Sequence, residues 1–252
     1  MTAHPTNDLP AIAHFLQAFA WKEDSLLSAR LQEELPALQH FVNGYNAFER
    51  AATVLIETEA PKFNLFSILA ISHLEAWVHT PLLAELLRPD GTHGQGRLFF
   101  DAFLAWLFGT AYLEGDFDSI SVTTEQYEEG VGRMDMVLVY QREGVLHEVI
   151  IENKIYGPDG YKQLDRYLQH YQKKSRRESL NYYIVYLTPY STMPAAHSID
   201  PKIYKQLVTD KKLYCMGYHK DIAPLLQRLL DRIKAPVVLE TVRQYLYTIE
   251  TL

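Results

Sequence analysis

The chain has a single cysteine, Cys215, among its 252 residues, so an internal disulfide is impossible and a cysteine-based zinc site would lack ligands. Long apolar runs are missing as well. No stretch approaches the roughly 18 uninterrupted apolar residues that a membrane span requires. The opening Met1-Thr2-Ala3-His4-Pro5 has no basic start followed by an apolar core, so no leader is expected and the chain reads as cytoplasmic. There is no Gly-x-Ser-x-Gly elbow to expose a serine nucleophile, and the glycines at 91, 94 and 96 are not followed by the Gly-Lys-Ser/Thr ending of a phosphate loop. Positive charge is short: 24 Lys and Arg face 31 Asp and Glu, a net charge of −7. That balance argues against a nucleic-acid partner, because affinity for phosphates comes largely from Lys and Arg displacing counterions.

The distribution of charge says more than its sum. Between Lys154 and Lys220 twelve basic residues stand against five acidic ones, so a basic segment is set in an otherwise acidic chain. The amino-terminal part is helical in pattern, with Ile12, Phe15, Leu16 and Phe19 and then Leu31, Leu35, Leu38, Phe41 and Val42 at helical spacing, and Pro36 as a kink or break. A second helix is expected from Phe66 to Leu87, kinked or divided at Pro81, with Leu69, Trp77, Leu82, Leu83, Leu86 and Leu87 as its apolar side. A third follows from Leu98 to about Tyr112. Then the period changes: Ser119 to Thr124, Arg133 to Tyr140 and Val145 to Asn153 read as strands, the last two as a hairpin. Asp159 is the expected N-cap of a helix reaching Arg177. Tyr182 to Leu187 and Leu213 to Tyr218 are further strands, and Asp221 to Ile233 and Val237 to Leu252 are closing helices parted by Pro236.

Two of these strands carry charge where apolar residues belong. Side chains alternate along a strand, so in Val149-Ile150-Ile151-Glu152-Asn153-Lys154 the groups Ile150, Glu152 and Lys154 share one face. The hairpin partner repeats the anomaly at Asp135, within Arg133-Met134-Asp135-Met136-Val137. One charge of this kind is usually half of a buried salt bridge that fixes register. Two carboxylates meeting across neighbouring strands repel unless a cation lies between them, and a hard divalent ion takes such oxygen ligands. An adjacent lysine adds the positive charge that orients water or stabilises a crowded phosphate.

Asp135, a hairpin and then Glu152-Asn153-Lys154 resemble the PD-(D/E)XK nuclease superfamily, and Gln163-Leu164-Asp165-Arg166-Tyr167 is similar to the Gln-x-x-x-Tyr helix of many of its members. A bacterial branch offers a closer likeness, through Glu75, His79, Leu82 to Leu87, His93-Gly94, Gly132-Arg133-Met134-Asp135 and a closing helix with Tyr245, Ile249 and Leu252. The motif's proline is replaced by Met134. The resemblance spans Phe66 to Leu252. It implies an α/β fold, a restriction-endonuclease-like core with a central mixed β-sheet flanked by helices, over residues 64–252; residues 1–63 lie outside it and are expected, from their helical pattern, as a helical extension packed on the core. It further implies Mg²⁺ or Mn²⁺ held by Asp135, Glu152, the Asn153 carbonyl and Glu75, directly or through water. Lys154 would serve the water, and Gln163 would complete the catalytic set. DNA is the expected substrate, gripped by Lys162, Arg166, Tyr167, Lys173 and Lys174. His93 is expected to order its turn rather than bind metal. Tyr156, Tyr161 and Tyr190 are candidates for stacking on bases. The competing reading is a catalytically silent nuclease fold that binds nucleic acid or assembles with a second copy or another protein.

Overall fold

Runs of Val, Ile, Leu and Met between turn residues build one five-stranded sheet, made of Phe117–Glu128 (β1), Gly132–Arg142 (β2), Val145–Asn153 (β3), Leu180–Thr188 (β4) and Leu213–Gly217 (β5). The computed structural model describes residues 9–60 and 62–252, so the reading of Met1 to Pro5 lies outside the described residues. The strands lie in chain order, the first three antiparallel and β3, β4 and β5 parallel. The sheet is therefore mixed, as expected. Glu143 and Gly144 join β2 to β3 with both residues at positive φ, as the tight primed turn of a hairpin requires.

Parallel strands need crossovers, and the two here are helices: Gln163–Arg177 (α5) between β3 and β4, and Pro201–Thr209 (α6) between β4 and β5. Sequence reading left α6 unassigned, although Asp200 caps it from Oδ1 and Pro201 opens it. These two helices cover one face of the sheet, where Val137, Ile150, Tyr182 and Ile184 pack against Leu164, Tyr167, Leu168 and Leu207. On the other face Met136, Leu138, Val149, Ile151, Val185 and Leu187 meet the helices Thr80–Leu87 (numbered α3), Leu98–Phe108 (α4), Ala223–Gln227 (α7) and Pro236–Glu250 (α8). With both faces covered, β3 and β4 are buried nearly throughout, which is why they read as continuous apolar runs.

The expected helix from Phe66 to Leu87 is three pieces: a short helix Leu65–Ile68 (α2), a single π-helical turn Glu75–His79, and α3 with Pro81 in its first turn. Proline is tolerated there because the first-turn N–H groups have no intrahelical partner. Trp77 and Leu69, assigned to the apolar side of one continuous helix, are exposed instead. Asp159 does not cap α5, which starts four residues later at Gln163. Its carboxylate accepts the Tyr186 hydroxyl and the Ala195 N–H, each at 2.6 Å, and so pins the loop after β3 to the loop after β4. The stretch expected as one helix from Asp221 to Ile233 is a π turn, the short α7 and a 3₁₀ turn.

The structure separates into two compact units, Met1–Phe63 and Asn64–Leu252. The first holds Leu9–Glu59 (α1), a helix that continues through Pro36 instead of breaking there. The flanking Glu33-Glu34-Leu35 and Ala37-Leu38-Gln39 are strong helix formers, which offset the one backbone bond that proline removes. Phe15, Leu16, Phe19, Leu31, Leu38, Phe41 and Phe48 of α1 are exposed. No helix is long and apolar enough to cross a membrane among the described residues.

Phe100 of α4 is fully buried and lies edge-on to Phe117 at 5.5 Å and Tyr140 at 5.8 Å between ring centroids. Truncating such a side chain removes its burial and leaves a cavity, so Phe100→Ala should lower unfolding free energy in urea by about 3–5 kcal/mol. A loss below about 1 kcal/mol would mean that α4 does not pack on the sheet in this way.

Candidate active site

The last bridged pair of the β2–β3 hairpin is Met136 opposite Ile151, and the same register sets Asp135 across from Glu152. Directly opposed residues of an antiparallel pair share a face. Asp135 Oδ2 accepts the Asn153 N–H at 2.8 Å, which fixes the carboxylate against β3. Glu152 is fully buried and points to the α5 side of the sheet. Lys154 Nζ lies 2.7 Å from Glu152 Oε1. The two acids and the ammonium thus meet on one face.

Helix α5 holds Glu152 from its own first turns. Gln163 Nε2 donates to Glu152 Oε1 at 2.6 Å, and the Tyr167 hydroxyl lies 2.7 Å from Glu152 Oε2. Gln163 also donates to that hydroxyl at 3.2 Å. Residues four apart share a helical face, and this spacing lets one helix bind both oxygens of one carboxylate. Tyr167, expected to contact nucleic acid, is fully buried with its hydroxyl on Glu152. Burial first, and then the Glu152 charge, push its phenol well above the usual range.

The charges inform one another. Burial, followed by repulsion from Glu152, pushes the Asp135 carboxyl up to about 7, with the Asn153 N–H and Lys154 acting in the opposite sense. For Lys154, burial favours the neutral amine, yet the Glu152 charge and hydrogen bond, with Asp135 and Glu75 behind them, raise its pKa overall. The lysine therefore stays protonated. Glu75 Oε2 accepts the Ile155 N–H at 2.5 Å. Among the described residues no three His, Cys, Asp or Glu side chains converge on one point.

On the opposite face Asn153 is fixed at both ends of its amide. Its Nδ2 donates to Thr80 Oγ1 and its Oδ1 accepts the Tyr218 hydroxyl, each at 3.0 Å. His79 is fully buried beside them, with Nε2 2.8 Å from the Ser72 carbonyl and Nδ1 3.0 Å from the Tyr245 hydroxyl. A carbonyl can only accept, so Nε2 carries the proton and Nδ1 accepts from Tyr245. Burial lowers the His79 pKa, against the pull of the Ser72 carbonyl, and the ring is a neutral structural link. His93 is likewise spent on its turn, with Nε2 donating to the Arg88 carbonyl at 2.7 Å and Nδ1 accepting the Gln95 N–H at 2.9 Å. Tyr218 and Thr80 were invisible as site residues, because their contacts with Asn153 join positions 65 and 73 residues apart.

The basic residues divide. Lys174, expected to grip a phosphate, is paired with Glu148 at 2.6 Å. Arg166 donates to the carbonyls of Val131 and Tyr161. Lys162 and Lys173 are exposed.

Asp135 and Glu152 offer hard oxygen donors of the kind Mg²⁺ prefers. Of the roughly four acceptor positions on a carboxylate, Glu152 has three engaged and Asp135 one. A cation fits the donor set by charge as well, because it would relieve the repulsion that raises Asp135. A model of the PD-(D/E)XK nuclease superfamily matches residues 63–246. Comparison with curated proteins and with solved structures gives no match.

A carboxyl whose folded pKa lies above its free value of 3.8 weakens the fold as pH rises between that value and about 7. Metal-free protein should therefore lose stability over this range. Asp135→Asn removes the charge and keeps an acceptor for the Asn153 N–H, so it should flatten the decline and raise Tm above neutral pH, by roughly 2–4 °C for each kcal/mol relieved. An unchanged or lower Tm in that variant would contradict the repulsion.

Proposed function

Because the chain belongs to the PD-(D/E)XK nuclease superfamily, we propose that it hydrolyses phosphodiester bonds of DNA at the centre formed by Asp135, Glu152 and Lys154, using Mg²⁺ or Mn²⁺. The single observation that carries this reading is the Lys154 ammonium 2.7 Å from Glu152, on the face that Asp135 shares. A lone buried salt bridge would need one acid. The second acid, Asp135, raised in pKa by burial and then by the Glu152 charge, is the mark of a site that expects further positive charge.

Asp135, Glu152 and the Asn153 carbonyl would hold the ion, with Glu75 one water away. When bound, the ion supplies positive charge against the phosphate oxygens and makes a water acidic enough to attack phosphorus near neutral pH. The chain's own groups do the remaining work. Lys154 keeps its proton, so it acts as a fixed cation that orients water and stabilises charge developing on the phosphate, and not as the base. Gln163 and Tyr167 keep the Glu152 carboxylate from rotating, which is how residues behind a ligand tune a metal site. Glu75 ties the turn it opens to the backbone just after Lys154.

One observation favours the silent reading, in which the fold serves assembly. The apolar side chains of α1 are exposed, as they would be on a segment that associates with another chain. Against it stands the intact set of acid, acid, lysine, glutamine and tyrosine. A degenerate site would have no reason to keep Lys154, Gln163 and Tyr167 bonded to Glu152 with a second acid beside them.

Plasmid, linear and single-stranded DNA, with RNA as a further arm, should be incubated with Mg²⁺, Mn²⁺ or chelator. Wild type should cleave only with metal, and Asp135→Ala and Lys154→Ala should fall by about 10²–10³-fold or more. Gln163→Ala and Tyr167→Phe should fall less, by about 10–100-fold. Equal cleavage by wild type and the alanine variants would place the activity elsewhere, and none with any metal would leave the assembly reading.

A further inference from the structure

The segments that carry the acidic centre also carry exposed aromatic side chains. Trp77 is 83% exposed, more than any other large apolar side chain described, and Tyr156, Tyr161 and Tyr190 are 61%, 70% and 65% exposed. All four are anchored next to the centre by the backbone beside them. Trp77 lies two residues past Glu75, whose carboxylate takes the Ile155 N–H, and Tyr156 follows Ile155 directly. Tyr161 precedes Gln163, the residue bonded to Glu152. Tyr190 lies just past β4, whose Leu187 carbonyl takes the Lys154 N–H at 2.8 Å.

Two of these rings are already set in place. Tyr190 stacks on His219 with 4.7 Å between centroids and 6° between planes, and His219 Nε2 is buried without a partner. Tyr161 has Lys162 Nζ 5.5 Å from its ring. The rings are thus flat faces turned outward, one of them with an ammonium beside it.

Three of the basic residues around the centre are engaged within the fold. Lys154 is on Glu152 and Lys174 on Glu148, and Arg166 is bound to two backbone carbonyls. Proteins that hold duplex DNA by its backbone commonly neutralise roughly six to ten phosphates. Bases in an intact duplex also have their faces covered by their neighbours, so exposed rings at the centre have nothing there to stack on. An unpaired base offers both faces, and one base–aromatic stack changes affinity by roughly 5- to 150-fold, whatever the sequence.

Resting on the nuclease reading above, we propose that the substrate of this centre presents unpaired nucleotides, as a single strand or a frayed or tailed end. Trp77 and Tyr156 are the side chains on which bases flanking the cut phosphate stack, with Tyr161 and Tyr190 extending the platform. Stacking then adds to the charge of exposed cations such as Lys162 and Lys173, so that a chain of net charge −7 can hold a polyanionic substrate.

Binding can be measured separately from hydrolysis, by fluorescence anisotropy of the full chain in chelator at fixed salt. The probes are a dye-labelled single-stranded oligonucleotide, the blunt duplex of the same sequence, and that duplex with an unpaired tail. Single-stranded and tailed probes should bind at least about 10-fold more tightly than the blunt duplex. Trp77→Ala and Tyr156→Ala should each weaken that binding by roughly 5- to 150-fold, whereas Trp77→Phe should retain most of it. Unchanged melting temperatures would show that these exposed substitutions leave the fold intact. Blunt duplex bound as tightly as single strand, or alanine variants that bind like wild type, would overturn the proposal and assign the rings to a protein partner. The two readings fail separately. Aromatic-dependent single-strand binding with no cleavage under any metal removes hydrolysis alone, and metal-dependent cleavage of closed duplex as fast as single strand, unaltered in Trp77→Ala, removes the substrate proposal alone.

Discussion

Two carboxylates held across one rung of a hairpin repel, and the local architecture can be understood as the means of keeping Asp135 and Glu152 there. The register of β2 and β3 brings them together, and neither can relax away. Asp135 is fastened to the Asn153 N–H, and Glu152 has hydrogen-bond partners on both oxygens. Left to itself such a pair would protonate or move apart. Lys154 compensates part of the charge, while burial and then the Glu152 charge still hold the Asp135 carboxyl above its usual range. A centre in this condition is primed to accept positive charge. That property follows from geometry before any substrate is considered.

Rigidity at the centre comes from both faces of the sheet. On one, α5 holds Glu152 through Gln163 and Tyr167. On the other, Asn153, the residue between Glu152 and Lys154, is tied to Thr80 of α3 and to Tyr218 after β5, with His79 and Tyr245 of α8 closing the network around Ser72. Buried polar networks of this kind are costly if half satisfied and rigidifying if complete. Here the ring nitrogens of His79 and both ends of the Asn153 amide have partners. The strand that presents the acid and the lysine is thereby fixed by groups that never touch a substrate.

The sheet and the site were legible in the sequence to different depths. β3 could be bounded at Val145 and Asn153 because a two-residue turn and a run buried on both faces leave little freedom, and the alternation that puts Glu152 and Lys154 together is strict along a strand. The helical period at Gln163 and Tyr167 revealed their shared face, but not what it would meet. Their partner Glu152 lies on another element, and only packing decides between a ligand and a substrate phosphate. The same limit hid the pairing of Lys174 with Glu148 and the contacts of Asn153 with Thr80 and Tyr218. Asp159 was misread because its position after Pro158 suits an N-cap, while the contacts it makes, with Tyr186 and Ala195, are 27 and 36 residues away. Local chemistry offered a plausible role, and tertiary structure supplied another.

The π-helical turn at Glu75 to His79 is the clearest case of a local irregularity with three consequences. The sequence reading places Trp77 on the apolar side of one continuous helix from Phe66 to Leu87. The break at Ala70, which adopts positive φ, and the wider π turn after it change the phase. Glu75 and His79, four apart, both face the fold, one reaching the Ile155 N–H and the other buried against Tyr245. Trp77, midway between them, is left on the opposite side and in solvent. Single π turns are frequent at functional sites because they re-aim side chains without ending a helix. In this one, the turn that brings Glu75 and His79 onto the fold leaves Trp77 exposed between them.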